Sequence, residues 1–252
     1  MSDATRSAEL VLSCRGMVKR FGGVVAVNKV DFDLFAGEVL ALVGDNGAGK
    51  STLIQTISGV FRADGGEVFL GGQRNVFNSP EDARRAGIET IYQDLALCDN
   101  LTAADNIFLG RELPRRRLGF IPGLDVPQMR EKAREVLDEL HIHIPDFDAP
   151  VRQLSGGQRQ AVAISRAVYW QARVMIMDEP TAALGVPEQR KVMDLIRMLK
   201  ARGTPVILIS HNMQDVFEIS DRICVMRRGL KVGEFITSKT DSSEIVRTMI
   251  GG

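Results

Sequence analysis

The stretch EVLALVGDNGAGKSTLIQTIS, residues 38–58, decides the fold. Its first part, EVLALVG (38–44), is almost entirely apolar, which is typical of a buried parallel strand. A glycine-rich loop follows, and KSTLIQTIS (50–58) predicts a helix that ends at Gly59. A strand, a glycine-rich loop and a helix in this order predict an α/β domain that binds phosphate between the strand and the helix.

The loop GDNGAGKS matches the pattern G-x-x-x-x-G-K-[ST] at Gly44, Gly49, Lys50 and Ser51. Small residues let backbone N–H groups converge on phosphate oxygens, and the helix dipole favours negative charge there. We expect Lys50 to reach the β- and γ-phosphates of ATP and Ser51 to offer its hydroxyl to Mg²⁺. A glycine-rich turn that binds nothing is the alternative, which the flanking strand and helix disfavour. The residues predicted to contact the nucleotide here are Gly44, Asp45, Asn46, Gly47, Ala48, Gly49, Lys50, Ser51 and Thr52.

An acidic pair follows a second apolar strand, VMIMDEP (174–180). A phosphate-binding loop needs a further magnesium ligand at the end of a neighbouring buried strand, and Asp178 fits that position. Glu179 comes next and could polarise a water molecule aimed at the γ-phosphate. An ordinary acidic turn is the alternative, and it is a weak one after a wholly apolar run.

Two further polar residues follow predicted strands. Gln93 comes after IETIY (88–92) and His211 after PVILIS (205–210). The carboxyl ends of parallel strands are where open α/β sheets bind ligands, so both residues are candidates for the site. A loop hydrogen bond for Gln93 and a helix cap for His211 remain the alternative interpretations.

A second candidate phosphate site lies in QLSGGQRQAVAISRA, residues 153–167. Ser155 can cap a helix that Gly156 and Gly157 open and that Gln158 continues. A helix start with two glycines and no bulky side chain can receive a phosphate group. One chain therefore carries two such sites.

Composition limits the functional classes. The 252 residues fit one large α/β domain or two small ones, and 32 basic residues balance 32 acidic ones, so no net charge favours nucleic acid. We interpret the basic run RELPRRR (111–117) as a solvated loop. Three cysteines without a C-x-x-C pair argue against a disulfide framework and suit a reducing cytosol. MSDATRSAEL lacks the apolar core of a signal peptide, and no apolar run is long enough to cross a bilayer, so a membrane role requires a partner.

The remaining patterns predict an α/β core that holds a mainly helical insert from about Leu95 to Val168. The pattern predicts a helical face with Met129, Ala133, Val136, Leu137 and Leu140, and a hairpin that turns near Arg228-Gly229. Other predicted strands are 29–35 and 66–72. Another predicted helix, 79–87, is capped by Ser79, and a further one begins with a capping box of Asp241 and Glu244. A third predicted helix ends at Gly203 and has an apolar face of Val192, Leu195, Ile196 and Leu199.

The order GDNGAGKS, Gln93, LSGGQ, VMIMDE and His211 resembles the nucleotide-binding subunit of ABC (ATP-binding cassette) transporters over essentially the whole chain. The resemblance implies the ABC-ATPase form of the P-loop NTPase fold: a RecA-like core at about 10–94 and 169–252, an antiparallel β subdomain, and a helical subdomain at about 95–168. LSGGQ is the most specific of these motifs, because the P-loop alone marks a much larger superfamily.

The resemblance also implies how the second phosphate site works. Cassettes of this family dimerise head to tail, so that Ser155, Gly156, Gly157 and Gln158 of one copy would hold the γ-phosphate of the other copy's ATP. ATP then becomes part of the dimer interface, and its cleavage allows the dimer to open.

Other roles follow by resemblance, residue by residue. Phe21 would stack on adenine, although a buried core phenylalanine is its alternative. Gln93 would contact Mg²⁺ and water, Glu179 would be the general base, and His211 would contact the γ-phosphate and orient the attacking water. One departure is Gly185 in TAALG, where the family usually has an aspartate that crosses the dimer interface.

The details resemble the ATPases of bacterial monosaccharide importers of the fructose and ribose type, here with one cassette. The implied assembly is a homodimer with transmembrane permease subunits at the cytoplasmic face of the inner membrane, supplied by a periplasmic sugar-binding protein. Residues 95–110 are a candidate wall of the permease groove, with an ordinary packed helix as the alternative. Rival functions are a soluble ABC-type ATPase of DNA repair or ribosomes, and an ATP-binding regulatory protein without turnover.

Overall fold

A computed structural model describes residues 9–117 and 121–251. Within these ranges the chain forms twelve strands and eight α-helices. The strands are β1 (Leu10–Phe21), β2 (Val24–Phe35), β3 (Val39–Val43), β4 (Gly65–Leu70), β5 (Gln73–Asn75), β6 (Ile88–Ile91), β7 (Pro114–Arg117), β8 (Ile121–Leu124), β9 (Val174–Asp178), β10 (Val206–Ile209), β11 (Arg222–Arg227) and β12 (Leu230–Ile236). The helices are α1 (Lys50–Ile57), α2 (Pro80–Ala86), α3 (Ala103–Phe108), α4 (Val126–Glu139), α5 (Gly156–Tyr169), α6 (Val186–Ala201), α7 (Met213–Ile219) and α8 (Ser242–Ile250).

The central sheet has six strands in the order β12-β11-β3-β10-β9-β6. Strand β3 pairs in parallel with β10 and β11, β10 pairs in parallel with β9, and β12 runs antiparallel to β11. All residues of β3 and β10 are buried, as expected for strands that are covered on both faces. The strands predicted within 38–44, 174–180 and 205–210 are therefore confirmed as β3, β9 and β10.

Apolar side chains cover both faces of this sheet. On one face Leu53 and Ile54 of α1 join a core that includes Leu40 and Ile207. On the other face Val216 of α7 and Ile245 of α8 pack with Val43 and Val225. This burial fixes the sheet, and with it the strand ends that carry the candidate site residues.

A second, antiparallel sheet has the order β2-β1-β4-β5. Strands β2 and β4 contain the predicted segments 29–35 and 66–72, apart from Gly71 and Gly72. The pattern did not predict β1, because its pairing with β2 shifts register between Cys14 and Met17 and Gly16 has a φ of 58°. A register shift of this kind interrupts the alternation by which a strand is recognised.

The helix caps follow the sequence in most places. Ser79 caps α2 with Pro80 as its first residue, and α1 ends before Gly59, as predicted. Only one of the two hydrogen bonds of the predicted capping box forms at α8. The Asp241 carboxylate accepts the Glu244 N–H at 2.9 Å, but the Glu244 side chain accepts a hydrogen bond from the Thr240 hydroxyl at 2.6 Å.

The interpretation of residues 111–117 as a loop is wrong. Strand β7 covers 114–117 and pairs antiparallel with β8, with Arg115 opposite Gly123. Arg115 also lies 3.9 Å from the Asp125 carboxylate. This cross-strand pairing was hidden because the arginines give the strand no alternation of apolar and polar residues.

The chain divides into two compact units. Of the described residues, the first unit comprises 9–90, 173–179 and 196–251, and the second comprises 91–117, 121–172 and 180–195. In the second unit helices α3, α4 and α5 pack on one another, and Met129, Ala133, Val136 and Leu137 of α4 are buried as predicted. The subdomain limits drawn from the sequence, 95 and 168, stay predictions. None of the helices in the described residues is both long enough and apolar enough to cross a membrane.

Candidate functional site

The glycine-rich loop between β3 and α1 is held by backbone from two distant segments. A Cβ atom built on Gly44 would lie 2.3 Å from the carbonyl oxygen of Met226, and one built on Gly49 would lie 2.3 Å from that of Ala26. Both glycines have positive φ angles, 152° and 98°. The Gly229 N–H donates to the Ala48 carbonyl at 2.9 Å. Only glycine fits these close approaches, so the loop conformation is imposed by the fold around it.

Lys50 begins α1 and turns back over this loop. Its ammonium group donates to the carbonyls of Gly44 at 2.7 Å and Asp45 at 3.1 Å. Burial lowers the pKa of Lys50, while the carboxylates of Glu179, Asp178 and Asp45 oppose that shift. The lysine charge is therefore held at the centre of the candidate site, with acidic groups around it.

Asp178 is the last residue of β9 and is half-buried. Burial raises the pKa of its carboxyl, the neighbouring Glu179 adds to the increase, and Lys50 opposes it. A carboxylate that is deprived of water in this way gains from a bound cation. Ser51, which is exposed, adds a hydroxyl, so the donors here are oxygen atoms of the kind that Mg²⁺ prefers.

Glu179 and His211 form a direct contact. The Nδ1 atom of His211 lies 2.8 Å from a carboxylate oxygen of Glu179, and Glu179 is mostly buried whereas His211 is mostly exposed. Glu179 has a φ of 51°, and its N–H donates to the Ile209 carbonyl at 2.9 Å. A non-glycine residue in this left-handed conformation costs free energy, which the surrounding sheet offsets. Since a carboxylate only accepts, Nδ1 carries the proton of this contact.

Phe21 lies at the end of β1 and is 44% exposed, so the alternative of a buried core residue is wrong. Its ring meets that of Phe61 edge to face with centroids 5.1 Å apart, and the Lys19 ammonium lies 5.3 Å from the Phe21 centroid. The Asp64 carboxylate accepts the Arg20 N–H at 2.6 Å. These contacts hold an exposed aromatic ring, which is what stacking on a purine base requires.

The second candidate phosphate site is a fully formed helix cap in the second unit. The Ser155 hydroxyl oxygen accepts the Gln158 N–H at 3.2 Å, and the Gln158 side-chain oxygen accepts the Ser155 N–H at 2.9 Å. The Gln158 amide also donates to the His143 carbonyl at 3.3 Å. The predicted cap and the glycine-opened helix α5 are confirmed. His143 thus contributes a backbone contact, which no sequence motif indicated.

The predicted residues fall into two groups. The first unit holds the loop 44–52, Asp178, Glu179 and His211, together with Phe21. Gln93, which is exposed and follows β6, and the cap at Ser155–Gln158 belong to the second unit. The sequence missed the backbone that supports the loop, at Ala26, Met226 and Gly229, because long-range packing leaves no local signal.

A phosphate-binding loop after one strand of a sheet, with an acidic pair at the end of another parallel strand of that sheet, defines a P-loop nucleoside triphosphatase. Residues 27–182 match the family model of the ABC transporter. The chain belongs to this family, as an ABC-type ATPase cassette.

Several proteins of known role are similar over the whole chain. The fructose import ATP-binding protein FrcA of Rhizobium meliloti is 48% identical over 246 residues, which cover 96% of this chain and 95% of that protein. The xylose/arabinose import ATP-binding protein XylG of Sulfolobus acidocaldarius is 48% identical over 95% of this chain and 93% of its own length. The ribose import ATP-binding protein RbsA 2 of Rubrobacter xylanophilus is 45% identical, and this chain spans about half of it, 46%.

Solved structures support the same fold. A nucleotide-free ATP-binding cassette from an ABC transporter superposes with a TM-score of 0.80 at 26% identity and covers 96% of both chains. An ADP-bound ATP-binding cassette of an ABC transporter also superposes with a TM-score of 0.80 at 26% identity, over 96% of this chain and 99% of that one.

Proposed function

We propose that the chain is the ATP-binding subunit of an ABC importer for a monosaccharide, and that two copies hydrolyse ATP in a head-to-tail dimer to drive uptake through a permease. One observation carries the proposal: a single chain has two helix starts suited to phosphate, the loop before α1 and the capped start of α5. In a head-to-tail dimer, the capped start of α5 in one copy would receive the γ-phosphate of the ATP that is bound to the other copy.

In the first unit the phosphates of ATP would bind the backbone N–H groups of residues 44–52. The Lys50 ammonium group already lies over that loop, where it donates to the Gly44 and Asp45 carbonyls. The phosphates would replace these carbonyls as its hydrogen-bond partners. Adenine would stack on Phe21. Because the loop is held in shape by neighbouring backbone, little reorganisation is needed when ATP binds.

Mg²⁺ fits the residues present. Ser51 and Asp178, both in the first unit, would hold it through a hydroxyl and a carboxylate oxygen. Gln93 stays a predicted ligand that rests on the family resemblance alone. The ion, when bound, neutralises charge on the β- and γ-phosphate oxygens. Burial and the neighbouring Glu179 both raise the pKa of the half-buried Asp178 carboxyl, and a bound cation would offset both effects.

The hydrolytic step depends on Glu179. Its carboxylate would take a proton from a water molecule whose oxygen attacks the γ-phosphorus, while the bond to the bridging oxygen breaks and ADP leaves. His211 holds that carboxylate through Nδ1 and keeps Nε2 for the γ-phosphate or the water. The contact therefore orients the base.

In the dimer the partner's Ser155 and Gly157 would donate to the γ-phosphate. The Ser155 oxygen accepts a backbone N–H within its own chain, which leaves its hydroxyl proton for the nucleotide. Hydrolysis removes the phosphate that joins the two copies, so the dimer can open. Opening and closing are the motion that a permease could use.

The transported solute and the site of action come from the relatives. FrcA, XylG and RbsA 2 are named for import of fructose, xylose/arabinose and ribose, so a monosaccharide is the proposed cargo. The subunit would act at the cytoplasmic face of the inner membrane, bound to permease subunits and served indirectly by a periplasmic sugar-binding protein. Nucleic acid is not a proposed partner.

A groove near Gln93 is the proposed contact with the permease. Most residues of α3 are buried, so residues 103–108 behave as the packed helix that was the alternative interpretation. Exposed side chains lie earlier, at Gln93, Asp94, Ala96, Asp99 and Asn100. We therefore place the wall of the groove at 93–100.

The test is sugar-stimulated ATP hydrolysis in vesicles that contain the subunit, its copurifying permease and the sugar-binding protein. Fructose, ribose and xylose are added separately, and Glu179→Gln serves as the matched control with the same shape. We expect one sugar to raise ATP turnover in the unaltered subunit and none to do so in the control. A subunit that copurifies with ribosomes or DNA ends and ignores all sugars would favour the soluble ATPase. Binding of ATP without turnover would favour the regulatory protein.

A further inference from the structure

The start of α5 packs directly on the segment that leads into α6. A Cβ atom built on Gly156 would lie 2.7 Å from Cδ2 of Leu184. One built on Gly157 would lie 2.9 Å from Cγ and 3.0 Å from Cβ of Glu188. Real Cβ contacts are longer than these, so the space beside both glycines is already filled by Leu184 and by the methylene groups of Glu188.

The carboxylate end of Glu188 lies over Gly185. Its Oε2 atom is 2.8 Å from the position that a Cβ atom would take at Gly185. A side chain at 185 would displace that carboxylate. Because that carboxylate is the end of a flexible side chain, it can move aside, so this contact does not by itself require glycine at 185.

Hydrogen bonds hold the loop 181–185, which comes shortly before Glu188. The side-chain amide of Gln189 donates to the Leu184 carbonyl at 3.0 Å, and the backbone N–H of Leu184 donates to the Thr181 carbonyl at 3.3 Å. Gln189 N–H donates to the Gly185 carbonyl at 2.9 Å and starts the regular helix. Glu188 thus projects from a hydrogen-bonded turn toward Gly157.

We propose that Glu188 is a positioning residue for the phosphate-binding turn at Gly156-Gly157. It acts through its methylene groups, which pack against Gly157, while its carboxylate lies over Gly185. The consequence for ATP rests on the proposed function, in which this turn binds the γ-phosphate of the partner's ATP. Donor groups must be held in place before the ligand arrives, since otherwise binding has to order them.

Substitution at Glu188 separates packing from charge. Glu188→Ala removes the Cγ atom beside Gly157 and keeps Cβ, whereas Glu188→Gln keeps the shape and removes only the charge. Glu131→Ala, an exposed acid on α4, is the matched control. Each change is made in the Glu179→Gln protein, where ATP is not consumed.

Light scattering then measures ATP-dependent dimerisation. We expect Glu188→Ala to raise the ATP concentration at half-dimerisation by about fivefold or more, a loss equivalent to one modest packing contact. Glu188→Gln and Glu131→Ala should match the parent, and calorimetric ATP binding to the monomer should be the same in all. Dimerisation of Glu188→Ala at the parent's ATP concentration would overturn the proposal, and so would a Glu188→Gln protein as impaired as Glu188→Ala.

Hydrogen exchange without nucleotide tests the positioning role independently of the dimer. The peptide that covers 153–160 should exchange faster in Glu188→Ala and at the parent rate in Glu188→Gln. Unchanged exchange in Glu188→Ala would reject the role of Glu188. If the Glu179→Gln parent itself fails to dimerise, the proposed ATP sandwich is wrong, while the exchange result still decides what Glu188 does.

A double-mutant cycle adds a second test. Gly157→Ala places a methyl group against Glu188, and Glu188→Ala removes the Cγ atom that it would meet. We expect the double variant to dimerise no worse than Gly157→Ala alone, because the two residues share one contact. Strictly additive losses would show that they act separately and would overturn the proposal.

Discussion

The Nδ1 atom of His211 lies 2.8 Å from the Glu179 carboxylate, and this contact joins the residues that follow two adjacent strands. Glu179 is the first residue after β9, and His211 is the second residue after β10. The parallel pairing of β9 and β10 brings these strand ends together, so the sheet itself positions the pair. A preformed pair can hold a base in one orientation, which is the main requirement for general-base catalysis.

Glu179→Gln should retain ATP binding and lose most turnover. The amide keeps the shape and the contact with His211 but cannot take a proton from water. Removing a general base typically costs about 10²–10⁴-fold in rate. Phosphate release measures turnover and calorimetry measures affinity. Turnover close to that of the unaltered protein would remove Glu179 from its assigned role.

His211→Ala should lower turnover by about a hundredfold, at the lower end of what a group in proton transfer contributes. Thermal stability should change little, because the His211 side chain is 77% exposed. His211→Gln, which can still donate to Glu179, should keep more activity than His211→Ala. Equal activity of the two variants would mean that the hydrogen bond to Glu179 does not matter.

Gly49→Ala should abolish ATP binding and lower the melting temperature. The methyl group would lie 2.3 Å from the Ala26 carbonyl oxygen, at a residue with a φ of 98°. Strain of this kind costs about 1–3 kcal/mol before any steric displacement is counted. Gly23→Ala is the control, since its Cβ would meet nothing within 4 Å. Normal ATP affinity in Gly49→Ala would contradict the tight packing of the loop.

Asp64→Asn should destabilise the protein in a pH-dependent way. The hydrogen bond from the Arg20 N–H lowers the pKa of Asp64, burial opposes this slightly, and Lys19 adds to the decrease. A lowered pKa in the folded state contributes stability above the ordinary pKa of about 3.8 and loses it as the pH falls through the folded value. The difference between the two proteins in urea unfolding should therefore be present at pH 7 and shrink below about pH 4. A difference that grows toward acid pH would contradict this sign.

Cys98 should react with thiol reagents well before the other two cysteines. Cys14 and Cys224 are buried, whereas Cys98 is partly exposed. Burial raises the pKa of Cys14 far above its ordinary value and that of Cys224 to about 12, so neither forms much thiolate at pH 8. A colorimetric titration should count about one fast thiol in the native protein, and Cys98→Ser should remove it. Fast reaction of all three would mean that the sheet opens readily.

The sequence predicted those parts of the fold that local chemistry determines. The apolar runs of β3, β9 and β10 and the caps at Ser79 and Ser155 each carry their own signal, and all are found. Strand β1 was missed because the register shift near Gly16 breaks its alternation. Strand β7 was missed because its arginines resemble a solvated loop.

The candidate site likewise contains features that the local sequence predicts and features that it does not. The residue types of the loop 44–52 and the acidic pair are visible as motifs, because phosphate and magnesium demand them. The contact of Gly157 with Glu188 was not visible, because it depends on how two helices that are distant in the chain pack together.

Strand β3, which leads into the phosphate-binding loop, lies between β10 and β11, and both of these come late in the chain. During synthesis the loop leaves the exit tunnel early, but its strand has no sheet neighbours until residues 206–227 have also emerged. The nascent chain must therefore carry an apolar strand without its partners until those residues have emerged, and only then does the loop gain its neighbours Met226 and Gly229. We expect chaperone binding, and truncation by a premature stop codon, to affect the nascent chain most strongly over this interval.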